Sequence, residues 1–544
     1  MSATPVLESS DSSVKMPSPE LLSAVPAGKQ TYGQILKSSA IVGGSTVVNV
    51  GIGMVRTKIM ALLLGPGGFG LAGLYTSIIA LTQSIAGLGV NSSGVRQIAE
   101  AAGTGDQNRI ARTTIVLRRT SVVLGLLGAV LLMLFSKQVS AVTFGDVRQR
   151  GAVCLISLAV LFQLISAGQG ALIQGMRRIR DLAKMNVIGA LSGLVISIPV
   201  IYVLREKGVA ISLVLVAAMT IITSWWYSRK IQINSVLLTH AEIRCETVGL
   251  LKLGIAFMVS GLLVPGVAYV VRVILLHKAG IAAIGMYQSA WTLGGLYIGF
   301  ILQAMSADFY PRLSAVASND AECNRLVNEQ ALVGLLIAGP GVLATLAFAP
   351  VVVVLFYSAK FAGSVEVLRW ICLGATLQVV TWPMGFIIVV KSRQNLFLLS
   401  ELLWAISAIG LAWICITRWG LNGAGIAFFF AYLAHWMIVY PIARRLSGFR
   451  WSRENKQLGS ASLVLIAIVF AGFYVLPPFW ASGFGILAAF LSATCSIRVV
   501  SKLISPDQLP FAMRWPLRVS RALASRLKNT CDTAKVNASE GLIQ

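Results

Sequence analysis

Runs of about 20 apolar residues, divided by short polar stretches, recur along most of this 544-residue chain. At 1.5 Å per residue, a helix of that length crosses a ~30 Å hydrocarbon layer. Fourteen such spans are expected, near 38–64, 71–91, 120–136, 151–173, 184–204, 208–227, 253–276, 281–305, 331–357, 370–390, 396–417, 420–442, 459–478 and 483–500. The eighth and ninth are clear as spans and soft at their edges. The pattern predicts an all-α polytopic membrane protein.

The pattern is also stated twice. From Val55 the chain reads VRTKIMALLLGPGGFG, and from Val271 it reads VRVILLHKAGIAAIG. Arg56 and Arg272 are 216 positions apart, and a register of 215 then pairs Gly65 with Gly280, Gly70 with Gly285, Gln163 with Gln378, Arg178 with Arg393 and Gly208 with Gly423. A register kept over roughly 160 residues points to internal duplication, and two like lobes around a site are the plan of many transporters. The expected organisation is a disordered cytoplasmic N-tail (1–36), an N-lobe of spans one to six (37–228), a cytoplasmic linker (229–252) and a C-lobe of spans seven to twelve (253–443). Spans thirteen and fourteen (444–504) have no partner in the repeat, and a basic cytoplasmic C-tail (505–544) follows.

Composition agrees with this class. The chain is 56% hydrophobic and 12% charged, with mean hydropathy +0.79, whereas soluble domains carry about 25% charge. Most of the 45 Lys and Arg fall in alternate loops and at the two ends. Because positive side chains stay on the cytoplasmic side, both termini are expected there. The net charge of +25 then reflects sidedness and implies no nucleic acid. Residues 1–30 lack the basic-then-apolar order of a cleaved signal. In the C-tail, FAMRWPLRVSRALASRLK (511–528) sets Arg514, Arg518 and Arg521 on one helical face, as an interfacial helix on an anionic leaflet would. Pro516 interrupts that pattern, and a poorly ordered tail is the even alternative.

The chemistry points away from catalysis. Outer loops are short and hold only Asp146, Glu206 and Glu366 as carboxylates. No D-x-D pair or G-x-x-x-x-G-K-[ST] motif is present to hold a metal–nucleotide or phosphate. No C-x-x-C pair occurs among the seven cysteines, so neither a metal nor a disulfide framework is indicated. His435 lies within a span, where hydrogen-bonded packing is the commoner role and a proton relay the rarer one.

Charges inside the membrane are the candidate site. Arg56 lies ~7–8 Å beyond the centre of span one, too deep to reach headgroups without a polar cavity. Lys58 points about 200° away from it around the helix, and Arg272 is only a turn from the end of span seven, so snorkelling competes for both. An arginine at a matching level of each lobe suggests a shared cationic cavity that suits an anion. Gln163 and Gln378 hold equivalent places and suit either the cavity or helix–helix contacts. Acidic groups are scarce: Glu401 and Asp308 are the candidates for a coupling H⁺ or Na⁺, and Glu401 is equally placed to pair with Arg393.

Several stretches resemble one family. They are Leu64-Gly65-Pro66-Gly67-Gly68-Phe69-Gly70-Leu71-Ala72 with Lys58 before it, Gly94-Val95-Arg96-Gln97-Ile98-Ala99, Gln174-Gly175-Met176-Arg177 and Tyr310-Pro311-Arg312-Leu313-Ser314. In this order and spacing they resemble Wzx-type polysaccharide flippases of the multidrug/oligosaccharidyl-lipid/polysaccharide exporter superfamily, from about Lys37 to Arg445. The resemblance implies translocation of undecaprenyl-pyrophosphate-linked oligosaccharide repeat units across a bacterial inner membrane, for lipopolysaccharide or exopolysaccharide biosynthesis. It implies no cofactor, and it brings polysaccharide polymerase machinery in as a partner. Arg56, Lys58 and Arg272 would then hold the pyrophosphate while the lobes rock in alternating access. Twelve spans is usual for that family, and the two extra ones are similar to fourteen-span lipid II flippases. A lipid II flippase is therefore the alternative reading. A cation-coupled drug exporter is disfavoured by the scarcity of acids.

Overall fold

A computed structural model describes residues 29–233 and 239–503, with the side chains of 29–43, 256, 260, 300, 303–308 and 500–503 excepted. The proposed interfacial helix at 511–528 lies outside the described residues. The chain runs α1 (Lys29–Ala86), α2 (Val90–Thr104), α3 (Gln107–Leu134), α4 (Ser136–Phe144), α5 (Arg150–Gly175), α6 (Ile179–Leu204) and α7 (Gly208–Ser228). It continues α8 (His240–Ala279), α9 (Ile281–Ala315), α10 (Asp320–Phe356), α11 (Ser364–Val390), α12 (Gln394–Ser447), α13 (Ser460–Val475) and α14 (Pro478–Leu503). The protein is all-helical among the described residues.

Ten helices among the described residues are long and apolar enough to cross a membrane. Three of them, Gly44–Ala86, Ile179–Ser228 and Gln394–Ser447, are 43, 50 and 54 residues long. Where fourteen separate spans were expected, neighbours one and two, five and six, and eleven and twelve each form a single run. Expected span eight falls in α9, part of whose side chains are outside the description. Each long run breaks at its middle on a positive φ: Gly65 at 64°, Arg205 at 51° and Gly420 at 54°. Pro66 directly after Gly65 suits the first position of the next helix, where no N–H is needed. Arg205 also donates from Nη1 to the Leu63 carbonyl at 3.3 Å, capping an acceptor left open by the Gly65 break.

The breaks follow the sequence register. Gly65 pairs with Gly280 (φ 83°), Arg177 (φ 54°) with Ser392 (φ 57°), and Arg205 with Gly420, each 215 positions apart. Close contacts follow it too. A Cβ on Gly70 would lie 2.3 Å from the Ile281 carbonyl, and one on Gly285 would lie 2.0 Å from the Pro66 carbonyl. Only glycine lets the two backbones approach in this reciprocal way.

Packing differs between the two ends of the bundle. At the end carrying Gly65 and Gly280, one buried cluster joins both halves of the chain, including Tyr75, Val153, Tyr287 and Phe361. Phe69 there meets Tyr357 and Phe361 edge-on at 5.5 and 5.9 Å. The other end carries the α5–α6 and α11–α12 turns and has two separate clusters. One is built on Ile98, Leu117, Leu172 and Leu250, and the other on Leu313, Val327, Met384 and Phe449. The halves share one core at the first end; at the other their cores are separate, and α8 packs with the N-terminal one, its Gly254 backbone against Leu88 and Gly89. The outward faces remain apolar, with Leu126, Val203, Ile406 and Phe490 exposed as lipid contact requires.

Two features outside the expected spans are new. The stretch after Gly89, expected as a loop, is helical as α2. Its apolar positions Val90, Ile98 and Ala101 are buried beneath a polar face, an amphipathic pattern short of a span. At the start of α8, the Thr239 hydroxyl caps the Glu242 N–H while the Glu242 carboxylate accepts from Thr239. Arg112 of α3 reaches the same carboxylate at 3.2 Å, which holds α8 against the N-terminal half.

Candidate functional site

At the second end of the bundle a cavity of about 720 Å³ lies within the N-terminal half and is walled on one side by α8. Its walls come from the end of α1, the start of α2, and α3, α5, α6, α7 and α8. Among the described residues that line it no side chain is ionisable. The polar groups are amides (Gln83, Asn91, Gln163, Gln174 and Asn186) and hydroxyls such as Ser84 and Thr220, beside the apolar Phe257, Met258 and Met185. Gln83 Nε2 donates to Gln163 Oε1. Asn91, Gln174 and Asn186 line the cavity and are exposed, and their side chains make no hydrogen bond among the described residues.

The three intramembrane cations stand apart from this lining. Arg56 donates from Nε to the Ser197 hydroxyl at 3.0 Å, and its guanidinium lies against Gly193, where a Cβ would be 3.2 Å away. Gly193 is seven residues along α6 from Asn186. Seven residues is nearly two turns, so the two share a face about 10 Å apart. Arg272 is likewise seven residues beyond Pro265, a lining residue of α8. It is only 6% exposed. Its Nε and Nη2 donate to Gln288 Oε1 at 3.1 and 2.5 Å, its Nη1 donates to the Ala268 carbonyl at 2.7 Å, and its guanidinium lies 5.9 Å from the Tyr287 ring centre. Lys58 donates to the Val354 carbonyl of α10 at 2.7 Å, bridging the two halves at a helix C-terminus, which favours a cation.

The expected shared cationic cavity is therefore modified. Arg272 stands about two turns past the cavity on α8, and Arg56, from the part of α1 before the Gly65 break, lies against α6 about two turns past Asn186; neither is among the described lining residues. Nor are their surroundings equivalent. Measured from the breaks at Gly65 and Gly280, the arginines are one residue out of register, which turns them about 100° apart on their helices. Arg56 consequently faces α6 and Arg272 faces α9. All the hydrogen-bond partners of Arg56, Lys58 and Arg272 are neutral. Among the described residues none of the three has a carboxylate to balance it. A buried guanidinium without a counter-charge attracts an anion strongly.

Of the remaining candidates, Gln163 lines the cavity, while its register partner Gln378 is half-buried in α11 and does not. Glu401 does not pair with Arg393. The break at Gly420 folds the two parts of α12 back on each other, and His435 Nε2 comes within 3.7 Å of Glu401 Oε1. The side chain of Asp308 is outside the described residues. No cluster of three or more His, Cys, Asp or Glu able to hold a metal occurs among the described residues. Sequence reasoning missed Gln83 and Asn91 as site residues. Their signal was present, since both are amides at or inside the end of an apolar run.

A family model described as polysaccharide biosynthesis protein matches residues 59–366, which contain the whole cavity wall and Arg272. The chain belongs to this family. It is 22% identical over 411 residues to the lipid III flippase of Escherichia coli (strain K12), covering 74% of this chain and 97% of that protein. Its fold is similar to that of the lipid II flippase MurJ in an inward closed conformation, with a TM-score of 0.61 at 12% identity over 85% of this chain and 98% of that one. It is also similar to an inward-facing multidrug resistance MATE family transporter of the MOP superfamily, with a TM-score of 0.59 at 17% identity over 74% and 98% of the two chains. The chain has the MOP superfamily fold.

Proposed function

We propose that this protein is a flippase that carries undecaprenyl-pyrophosphate-linked oligosaccharide repeat units from the cytoplasmic to the outer leaflet of a bacterial inner membrane. The observation that carries the reading is the pairing of a large polar cavity with the half-buried Arg56 and the buried Arg272, neither with a carboxylate to balance it among the described residues, about two turns beyond the cavity along α6 and α8. A lipid pyrophosphate cannot cross hydrocarbon unaided, and its charge needs fixed cations. Arg56 and Arg272 supply forked donors for it and Lys58 a point charge. The named activity of the Escherichia coli lipid III flippase supports a lipid-linked substrate.

The mechanism follows from the unequal packing of the two ends. The polar cavity admits the headgroup at the end where the two cores are separate, between the N-terminal half and α8. Parting of the Gly70–Gly285 contact, with closure of the other end, then exposes the headgroup to the opposite side while the polyprenyl chain stays in lipid. We place the two lobes at 37–228 and 253–443 and both termini in the cytoplasm, with the basic ends of the helices on that side. Glu401, beside His435, is the proposed site of a coupling H⁺.

A second reading, a lipid II flippase, has the MurJ fold likeness in its favour, since that likeness covers 85% of this chain. Complementation separates the two. The chain is expected to restore surface polysaccharide to a strain lacking its oligosaccharide flippase, and to leave a strain lacking its lipid II flippase inviable. Rescue of only the second strain would overturn the first reading.

A further inference from the structure

We infer that the 720 Å³ cavity is a saccharide site that recognises an uncharged, hydroxyl-rich sugar, separately from the arginines that hold the pyrophosphate. This deepens the flippase reading and rests on it. A cavity of that size is in the range that encloses a whole small ligand. An anion bound there would meet no cation from the described lining residues, none of whose side chains is ionisable, and an unpaired charge is costly to desolvate.

What the walls offer instead matches a sugar. Each amide presents an acceptor oxygen and two N–H donors, which suits the alternating donor and acceptor roles of neighbouring hydroxyls. Asn91, Gln174 and Asn186 are exposed on three different helices, α2, α5 and α6, with these groups unused. The Gln83–Gln163 pair adds a fourth polar point at the cavity wall. Phe257 and Met258 of α8 give an apolar surface against which the C–H face of a pyranose can lie. A site built to bond hydroxyls rejects analogues that lack or replace them, because its own polar groups are then left unpaired.

The division of labour has a consequence. The two-turn gap between Asn186 and the Gly193 level, about 10 Å, separates sugar recognition from charge recognition along one wall. Specificity for the repeat unit is set by the amides and attraction for the carrier by the arginines.

The test uses full-length protein in nanodiscs and three lipids: undecaprenyl pyrophosphate carrying glucose, carrying glucuronic acid, and carrying no sugar. Glucose and glucuronic acid differ only by a carboxylate in place of a hydroxymethyl group. The glucosyl lipid is expected to bind at least about tenfold more tightly than either of the others. Asn186→Ala with Gln174→Ala should bring the three affinities together. Arg56→Ala should instead lower all three alike. Gln174→Lys is a gain-of-function check independent of stability, and it should improve binding of the glucuronyl lipid selectively. Equal binding of all three lipids by the unaltered protein, or a glucosyl preference that survives the double alanine variant, would overturn the sugar site while leaving the flippase reading intact. Failure of all three lipids to bind would overturn the flippase reading, and the sugar site with it.

Discussion

Arg272 shows most clearly how single residues carry the account. It is buried, its Nε, Nη1 and Nη2 are all engaged, and every partner is neutral. Beyond these and the Tyr287 ring, no carboxylate among the described residues balances its charge, which therefore still attracts an anion. A hydrogen bond to a charged group contributes ~1.5–3 kcal/mol, so losing one such contact predicts a roughly ten- to hundredfold weaker hold on the lipid pyrophosphate. Arg56→Ala and Arg272→Ala are each expected to lower binding by that factor at normal membrane abundance. The Lys replacements should keep part of it, because the charge survives and the fork does not. Equilibrium binding of the lipid, with immunoblots of the membrane fraction, checks this. Glu401→Gln is expected to behave differently, slowing turnover while binding is unchanged, since the carboxylate faces His435 and does not line the cavity. At this scale the sequence was partly legible. The expense of an arginine in an apolar run identified Arg56 and Arg272. It did not identify their neighbours Ser197 and Gln288, because partners 141 and 16 residues away are set by helix packing. His435 was hidden from Glu401 for the same reason, the turn at Gly420.

At the scale of helices, the informative contacts are those between α1 and α9. Gly70 and Gly285 rest on each other's helix breaks with no room for a Cβ. Gly285→Val must push the helices apart at that end. It is expected to abolish transport and to speed labelling of a Thr143→Cys probe by an impermeant maleimide added from outside. Thr143 normally bonds Tyr269 at 2.7 Å there. Unchanged labelling would mean the contact is no gate. At the opposite end, hydrogen bonds from Thr239, backbone first and then hydroxyl, hold the Glu242 carboxyl below its ordinary range, and Arg112 adds to this. A lowered carboxylate pKa means that the α3–α8 link is complete above the ordinary value of 4.5 and is lost as pH falls through the lowered one. Spin labels on α3 and α8 should keep their distance from pH 7 down to about 5 and separate only in stronger acid. The glycine pairs were legible beforehand because backbone breaks need particular residues. α2 was not, since its helical face is too short and too polar to stand out from a loop.

The whole molecule is defined by unequal packing: one shared core at the Gly65 end and two separate cores at the other. The register of 215 read from the sequence recurs in the positive-φ positions at Gly65 and Gly280, Arg177 and Ser392, and Arg205 and Gly420. The cavity was not announced, because it is made from seven helices whose amides are scattered from Gln83 to Asn186. The central claim is that the protein moves a lipid-linked oligosaccharide across a membrane. Its most direct test is a reconstituted flipping assay, in which purified protein in liposomes holds undecaprenyl-pyrophosphate-linked oligosaccharide with a fluorescent sugar, and an impermeant quencher is added outside. Wild-type protein is expected to expose the inner-leaflet pool to the quencher, and Arg56→Ala protein, reconstituted at the same density, is expected not to. Quenching that stops at the outer-leaflet fraction with wild-type protein, as in protein-free liposomes, would contradict that claim.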